Sequence, residues 1–234
     1  MQIYKNILVK LSGEALAGEK GTGFDNEIIS GVIKQLVKLV NDGFYVSVVI
    51  GGGNFWRGRT SGNMDRTKAD QVGMLATVMN ALYVSDFTRT HGISSVIMTP
   101  FSVGTMTEVF NKDKAMEYLR NKKIVFFAGG TGHPYFSTDS GAALKGCEIG
   151  ADALLFAKNI DGVYDSDPKI NKQAKKFEKI SCDEIISKNL RLVDLTSLVL
   201  CKENNLPMII FDLNEENGII RVANGENIGT KITI

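Results

Sequence analysis

The strongest constraint on the fold is a regular alternation of short apolar runs with longer segments of helical period. Runs rich in β-branched and aromatic residues occur at 7–11, 45–50, 96–98, 124–127, 153–156, 208–211 and 231–234. Between them, apolar residues recur every three to four positions at 28–40, and a long helix is predicted over 66–91. We assign the inward face of that long helix to Val72, Leu75, Met79, Leu82 and Tyr83.

Strands separated by helices of this length indicate βαβ units. The strands are apolar almost throughout, as burial on both faces requires. We therefore predict an α/β fold: a three-layer α/β/α sandwich around a mainly parallel sheet. Asp25 and the Ser181–Glu184 capping box are predicted to begin helices, and Gly43 to end one. Because no linker interrupts the pattern, we expect a single domain over 1–234.

Charge and composition exclude several functional classes. The chain has 27 Lys+Arg against 26 Asp+Glu, so its net charge of +1 disfavours a nucleic-acid partner. No apolar run reaches the roughly 18 residues of a membrane span, and lysines interrupt the N-terminal apolar run that a signal peptide needs. Cys147, Cys182 and Cys201 are too widely spaced for a metal motif or disulfide framework. We expect a soluble, cytoplasmic protein without a membrane or nucleic-acid partner.

Glycine is concentrated in three segments. Of the 24 glycines, 13 lie in 13–23, 51–62 and 129–141, where even spreading would place about 4. Each segment follows a predicted strand, and in an open α/β sheet ligands bind at the carboxyl ends of the strands. Glycine loops there present backbone N–H groups to phosphates, although ordinary turns use glycine too. Neither a P-loop motif nor G-x-G-x-x-G follows the first strand, which disfavours P-loop proteins and dinucleotide-dependent redox enzymes.

Five motifs follow one another along the chain, at 9–16, 49–58, 69–80, 130–139 and 161–168. They read VKLSGEAL, VIGGGNFWRG, AD with GMLATVMN, GTGHPYFSTD and DGVYDSDP. In content and order they resemble the bacterial-type uridylate (UMP) kinases of the amino acid kinase superfamily. The resemblance implies transfer of a phosphoryl group from ATP to UMP, with Mg²⁺ as the cofactor of ATP. It also implies a homohexamer, with a phosphate-acceptor lobe at about 1–150 and an ATP-binding lobe at about 151–234.

The catalytic residues that the resemblance implies are Lys10, Asp139 and Asp194. Lys10 ends the first strand beside a glycine turn and would stabilise the transferred phosphoryl group. Asp139 would organise the catalytic lysines and help to hold Mg²⁺, although it and Asp194 are also plausible helix caps. The acceptor is an ionised phosphate, so catalysis needs positioning and charge neutralisation rather than a general base.

The two substrate sites follow in the same way. The ATP site is expected to comprise Lys10, Leu11, Ser12, Gly13, Gly53, Arg57, Lys158, Asn159, Tyr164 and Asp167. Whether Lys158 or Asn159 contacts the nucleotide is left open. The UMP site is expected to comprise Gly52, Arg57, Asp70, Thr131, Gly132, His133, Pro134, Tyr135, Phe136, Ser137 and Thr138. In it, Gly52 and Arg57 would bind the phosphate and Asp70 the ribose hydroxyls. His133 stands where relatives usually have asparagine.

One further segment matches a region associated with GTP regulation in relatives. It comprises Gly18, Glu19, Lys20, Gly21, Thr22 and Gly23, and it is interpreted either as an effector region for GTP or UTP or as a mobile loop.

Two other functions stay open. The first is a related kinase with a carboxylate or carbamate acceptor, which Arg57 and Asp70 disfavour. The second is an inactive nucleotide-binding regulator, which the joint presence of Lys10, Asp139 and Asp167 disfavours.

Overall fold

One sheet runs through the whole of the described chain. The computed structural model describes residues 3–56, 62–168, 170–190 and 192–234. Within them, the strands are β1 (Asn6–Leu11), β2 (Tyr45–Ile50), β3 (Ser95–Thr99), β4 (Glu108–Val109), β5 (Ile124–Phe127), β6 (Ala153–Lys158), β7 (Lys179–Ser181), β8 (Met208–Asp212) and β9 (Thr230–Thr233). They pair in the order β4-β3-β5-β2-β1-β6-β8-β9-β7. All pairs are parallel except β8 with β9, which confirms the predicted mainly parallel sheet. The short β4 and β7 were not predicted.

The helices cover both faces of this sheet. They are α1 (Gly13–Ala17), α2 (Asn26–Asn41), α3 (Arg66–Thr90), α4 (Lys112–Arg120), α5 (Thr138–Glu148), α6 (Cys182–Ser187), α7 (Leu195–Glu203) and α8 (Gly218–Ala223), with a 3-10 turn at Gly18–Lys20. Side chains of α2, α3 and α8 join one apolar cluster against the sheet. Those of α4, α5, α6 and α7 join a second cluster on the opposite face, which confirms the three layers. Among the described helices, none is both long and apolar enough to span a membrane.

Strand alternation decides which layer each side chain of the central strands enters. In β1, Val9 and Leu11 belong to the cluster under α2, whereas Leu8 belongs to the cluster under α5. Because side chains alternate along a strand, Lys10 lies on the α5 side with Leu8. In β6, Phe156 is on the α5 side, so the same rule puts Lys158 there. Two lysines therefore approach α5 from the carboxyl ends of adjacent strands.

The predicted inward face of α3 is wrong in part. Leu75 and Met79 are each 50% exposed and Tyr83 is 38% exposed. The buried side chains are instead mostly small or polar: Ala69, Ala76, Thr77, Val78, Asn80, Ala81, Val84, Ser85 and Thr88. The cause is a close approach, because a Cβ placed on Gly52 would lie 3.0 Å from Ala76 Cβ. Only small side chains fit between this helix and the loop after β2, so the large apolar ones lie on its outer side.

The predicted helix ends are confirmed. The Asp25 side chain accepts hydrogen bonds from the backbone N–H groups of Glu27 and Ile28 at the start of α2. Ser181 and Glu184 form a complete capping box at the start of α6. Just beyond the end of α2, Gly43 has φ = 91°, in the left-handed region that favours glycine.

Candidate active site

The centre of the site is a carboxylate held between two lysines. Lys10 Nζ lies 2.8 Å from Asp139 Oδ1, and Lys158 Nζ lies 2.9 Å from Asp139 Oδ2. The three side chains are only 10%, 13% and 15% exposed for Lys10, Asp139 and Lys158 respectively. Lys158 Nζ also donates to the backbone carbonyl of Leu192 at 2.6 Å. The structure thus brings together two residues predicted as catalytic with one predicted for ATP.

Local structure explains why these residues meet. Ser137 is the N-cap of α5, and its hydroxyl accepts a hydrogen bond from the N–H of Ser140. This cap fixes the first turn of α5, in which Asp139 is the second residue. The lysines come from adjacent parallel strands, with Lys10 opposite Phe156 in the β1–β6 register. Rigid elements, rather than loops, position all three charges.

The electrostatics of the cluster favour a bound anion. Burial by itself would raise the pKa of Asp139, but Lys10 and Lys158 outweigh it and lower that pKa to about 2. Burial lowers the pKa of Lys158, and Asp139 opposes that change. Two ammonium groups thus share one carboxylate, and the excess positive charge lies where parallel strands end. A phosphoryl group placed there would find cations already held in position.

Asp194 is the N-cap of α7. Its Oδ1 accepts a hydrogen bond from the Ser197 N–H at 2.9 Å, which is the capping role that the sequence left open. The same oxygen accepts from the Ser140 hydroxyl at 3.0 Å, and Oδ2 accepts from the Ser137 hydroxyl. Asp194 therefore ties the start of α7 to the start of α5. It also lines one cavity together with Asp139.

A cavity of about 420 Å³ lies beside the cluster, at the predicted acceptor site. The predicted UMP-site residues that line it are Gly52, Asp70, Thr131, His133, Phe136, Ser137 and Thr138, together with Gly53 from the predicted ATP set. Gly132, Pro134 and Tyr135 are not among its lining residues. Arg57, predicted for both substrates, lies outside the described residues. Lining residues that sequence analysis did not name are Glu14, Trp56, Arg66, Gly73, Met74, Thr77 and Gly130.

Asp70 forms an ion pair with Arg66 at this cavity. Its Oδ2 lies 2.8 Å from Arg66 Nε and accepts a hydrogen bond from the Tyr135 N–H, also at 2.8 Å. The Arg66 guanidinium lies 5.4 Å from the centre of the Tyr135 ring. Tyr135 has φ = 71°, which is uncommon outside glycine, and Asp70 helps to hold it there. The i,i+4 spacing of Arg66 and Asp70 on a predicted helix was a signal that could have identified Arg66.

The loops after β1 and β2 pack directly against each other. A Cβ placed on Gly13 would lie 2.3 Å from the Gly51 carbonyl oxygen, so only glycine fits there. Ser12 is the N-cap of α1, but its hydroxyl makes no capping hydrogen bond. The Leu11 side chain is fully buried in the core, and its carbonyl accepts from the Gly51 N–H at 3.0 Å. The side chain of Leu11, predicted for ATP, therefore lies in the apolar core, and Leu11 is not among the lining residues of the acceptor cavity.

Two further cavities continue from the cluster toward the C-terminal half. One of about 560 Å³ contains Asp139 and Asp194, and one of about 400 Å³ contains Tyr164 and Asp167, both predicted for ATP. These two share the lining residues Asn189, Leu190 and Leu192, and the first shares Ser137 with the acceptor cavity. Asn159 is exposed, whereas Lys158 joins the charged cluster. The arrangement provides space for one ligand on each side of the two lysines.

The segment 18–23 is hydrogen-bonded to the loop after β2, residues 51–56, which we call the acceptor loop. It begins with the 3-10 turn at Gly18–Lys20, and the Thr22 hydroxyl donates to the Asn54 carbonyl at 2.9 Å. Gly18, Gly21 and Gly23 all have positive φ. Its predicted role as an effector region stays a prediction.

Comparison with known proteins gives a consistent result. The model of the amino acid kinase family matches residues 5–212. The UMP kinase from Bacillus anthracis is 35% identical, with a TM-score of 0.94 over 98% of this chain and 96% of that one. The UMP kinase from Ureaplasma parvum is 32% identical, with a TM-score of 0.92 over 98% and 99%. The uridylate kinase from Archaeoglobus fulgidus is 25% identical, with a TM-score of 0.74 over 97% and 99%.

Proposed function

Since the chain belongs to the amino acid kinase family, we propose that it is a UMP kinase, which transfers the γ-phosphoryl group of ATP to UMP to give UDP and ADP. The observation that carries the proposal is the position of the Lys10–Asp139–Lys158 cluster between the acceptor cavity and the cavities of the C-terminal half. Supporting it, two solved UMP kinases share the fold along almost the entire chain. Because its product, UDP, is a pyrimidine nucleotide, the proposed reaction belongs to pyrimidine nucleotide biosynthesis.

The chemistry matches the residues present. The acceptor is a phosphate oxygen that is already ionised at neutral pH, so no side chain has to remove a proton. The transition state spreads negative charge over the equatorial oxygens of the transferred group. Lys10 and Lys158 supply fixed positive charge for it, and Asp139 holds both amines in place without a change of its own protonation. The reaction is therefore driven by alignment and neutralisation.

The acceptor cavity supplies groups for each part of UMP. The loop containing Gly52 and Gly53 presents backbone to the phosphate, and Asp70 offers carboxylate oxygens to the ribose hydroxyls. Arg66 adds a cation that the sequence motifs did not identify, because its guanidinium is fixed by Asp70 at the same cavity. The stretch 131–138 would surround the uracil, with His133 exposed at its edge. Arg57 is retained as a phosphate ligand on the motif alone.

ATP would occupy the cavities on the other side of the cluster. Tyr164 and Asp167 line the more distant one, which suits the base and ribose. Its phosphates would then extend past Asp139 toward the glycine loop at Ser12 and Gly13. Lys158, which lies at the reaction centre, is assigned to the phosphates rather than to the base.

The residues present fit Mg²⁺ carried by the nucleotide. Among the residues that the structure describes, no three His, Cys, Asp or Glu side chains form a cluster able to hold a metal. A kinase Mg²⁺ is held largely by substrate phosphates with one or two carboxylates, and Asp139 is the ionised carboxylate at the centre of the site. When bound, the ion would neutralise phosphate charge. Asp139 would orient it from the protein side.

The function is tested by ADP release with ATP and Mg²⁺ and, in separate reactions, UMP, CMP, dUMP or N-acetylglutamate. We expect the highest kcat/KM with UMP, because the cavity and Asp70 suit a nucleoside monophosphate with ribose hydroxyls. Turnover with the amino acid alone would establish the related kinase with a carboxylate acceptor. Binding of ATP and UMP without any turnover would establish a nucleotide-binding regulator instead.

We expect Asp194→Asn to lower kcat about tenfold while leaving stability nearly unchanged. Asparagine caps a helix about as well as aspartate, so the α7 cap should persist. The variant removes the negative charge that, against the effect of burial, favours protonated Lys158. Steady-state kinetics and thermal unfolding measure the two effects. Asn111→Asp at the cap of α4, remote from the cavities, is the matched control. An unchanged kcat in Asp194→Asn would leave Asp194 with its capping role alone.

The outer side of α3 supports assembly into a homo-oligomer, with a homohexamer as the form implied by the resemblance. Leu75, Met79 and Tyr83 project from it, and Tyr83 stacks on Phe24 at a ring distance of 3.9 Å. A contiguous exposed apolar face of this kind is typical of an interface.

The free cysteines also fit the cytoplasm, where thiols stay reduced. GTP and UTP remain proposed effectors.

The oligomer is tested by sedimentation velocity of the double variant Leu75→Lys and Met79→Lys. We expect assemblies larger than a monomer for the unmodified protein and a shift to smaller species for the variant, because buried lysines at an interface lack partners. Glu117→Lys, exposed on α4 at the opposite face of the sheet, should sediment as the unmodified protein does. A monomer as the only species before mutation would refute the assembly.

A further inference from the structure

Two buried asparagine side chains form a reciprocal amide pair beneath the acceptor loop. Asn54 is 2% exposed and Asn80 is 0% exposed. Asn54 Nδ2 donates to Asn80 Oδ1 at 3.1 Å, and Asn80 Nδ2 donates to Asn54 Oδ1 at 2.7 Å. Asn80 comes from the middle of α3, whereas Asn54 follows the glycines after β2. The pair therefore connects a long helix to the acceptor loop.

Each amide also holds a second backbone segment. Asn80 Nδ2 donates to the Gly51 carbonyl at 2.6 Å, and Asn54 Nδ2 donates to the Gly23 carbonyl at 2.9 Å. The Asn54 backbone carbonyl in turn accepts from the Gly23 N–H at 3.3 Å and from the Thr22 hydroxyl at 2.9 Å. The acceptor loop and the 18–23 segment are thus attached to the same two side chains.

The loop after β1 is fixed against this pair as well. A Cβ on Gly13 would lie 2.6 Å from Asn54 Oδ1 and 2.3 Å from the Gly51 carbonyl oxygen. Gly13 belongs to the loop assigned to ATP phosphates, and Gly51 begins the loop assigned to the UMP phosphate. Where the two loops touch, Asn54 forms part of the contact surface. Its position therefore affects the separation of the two substrates.

Burying two amides is costly unless every donor and acceptor is paired. Apolar side chains of similar size would fill the space but would not fix an orientation, whereas a satisfied polar network specifies one arrangement. The use of two asparagines here indicates a requirement for exact loop placement. For phosphoryl transfer, a misplacement of about 1 Å can cost about 10²-fold in rate.

We propose that Asn54 and Asn80 are positioning residues that hold the donor and acceptor phosphate loops at the separation needed for transfer and couple that separation to the 18–23 segment. The inference rests on the proposed function in so far as it concerns the rate. Its structural part, the coupling of three segments, is independent of the substrate. A conformational change at Thr22 or Gly23 would reach the acceptor loop through Asn54.

The test compares Asn80→Ala, Asn54→Ala and Thr22→Val with a control on the same helix, Thr88→Val. Thr88 is fully buried and hydrogen-bonded to Ser85 and Ser95, so its loss affects stability away from the loops. Two readouts are used at a temperature where every variant is folded: kcat at saturating ATP and UMP, and the emission of Trp56. Trp56 is the only tryptophan in the chain, and its backbone N–H donates to the Gly52 carbonyl at 2.9 Å.

We expect both asparagine variants to lose about tenfold or more in kcat and to shift the Trp56 emission. Thr22→Val should lose about threefold in kcat with little change in thermal stability, because it removes only one part-buried hydrogen bond of the network. Thr88→Val should lower the unfolding temperature but leave kcat and emission as they were. If the asparagines had only a structural role, their variants would also unfold at a lower temperature with unchanged kcat and emission, and the proposal would be overturned.

The remaining outcomes are also decisive. If the asparagine variants do not fold, Thr22→Val decides, and wild-type kcat with wild-type emission in it would refute the coupling. If the unmodified protein does not phosphorylate UMP, the proposed function fails. In that case the Trp56 emission of the variants still supports or refutes the connection between the loops.

Discussion

Replacing Lys10 by alanine is expected to lower kcat about a hundredfold or more and to leave UMP affinity nearly unchanged. The ammonium group lies 2.8 Å from Asp139 at the end of a central strand. Because it is already held in place, it does not have to move when the phosphoryl group is transferred. Loss of one preorganised charge partner typically costs 10²–10³-fold in kcat. The UMP site is built from other elements, so its affinity should persist. Steady-state kinetics with varied UMP at saturating ATP measures both parameters.

Lys38→Ala provides the control for this variant. Lys38 pairs with Asp42 at 2.9 Å on the exposed side of α2, where an ion pair contributes little. We expect its kcat to equal that of the unmodified protein. If Lys10→Ala also retained that kcat, the assignment of Lys10 to the transferred group would be wrong. If instead kcat stayed constant while KM for UMP rose, Lys10 would belong to acceptor binding.

Replacing Asp139 by asparagine should reduce kcat by about 10²-fold or more and also destabilise the fold. The variant leaves Lys10 and Lys158 facing each other in a nearly buried site without a counter-charge. Removal of one partner from a buried ion pair typically costs about 3–5 kcal/mol. Both amines should then move apart, so the positive charge would no longer be aligned with the phosphoryl group. Chemical denaturation and steady-state kinetics measure the two effects.

The stability effect has a defined pH dependence. The pKa of Asp139 is lowered from 3.8 to about 2 in the folded protein, so the ionised carboxylate favours the folded state by about 2 kcal/mol above pH 4. That contribution disappears as the pH falls from about 4 to about 2, because the folded state then takes up the same proton as the unfolded state. The stability difference between the unmodified protein and Asp139→Asn should shrink over this interval.

The double variant Asp139→Asn with Lys158→Met separates charge balance from catalysis. It removes one cation together with the anion, so it should recover stability relative to Asp139→Asn while kcat stays low. Urea unfolding followed by circular dichroism between pH 2 and 6 compares the three proteins. A stability difference that did not change with pH, or full kcat in Asp139→Asn, would contradict the role of the carboxylate.

The fold was largely predictable because its signals are local. Apolar runs and helical periods identified the longer strands and helices, and Asp25 and Ser181 marked their ends by capping chemistry. Strands β4 and β7 were missed because two or three residues carry no periodicity. The face of α3 was wrong because its packing depends on Gly52, a residue that approaches it only in the folded chain.

The site was predictable to the extent that motifs contain it. Lys10 and Asp139 were identified from the motifs. Lys158 can be added once the structure shows that Phe156 faces α5, because alternate side chains of β6 point to the same side. Arg66 and Asn80 were not identified as functional residues, since their importance arises from contacts made across the chain. Such contacts follow from tertiary packing, which no short segment encodes.

The central position of the lysines has a consequence for which parts of the protein can accept substitutions during evolution. Strand β1, which carries Lys10, is paired on both sides, with β2 and with β6. Strands of this kind open only with the entire domain, so the reactive charges occupy the least deformable part of the molecule. The groups that we propose to select the acceptor, Asp70 in α3 and the 131–138 stretch, lie outside the strands. Substitutions there can alter which phosphate acceptor enters while the means of transferring phosphate stays intact.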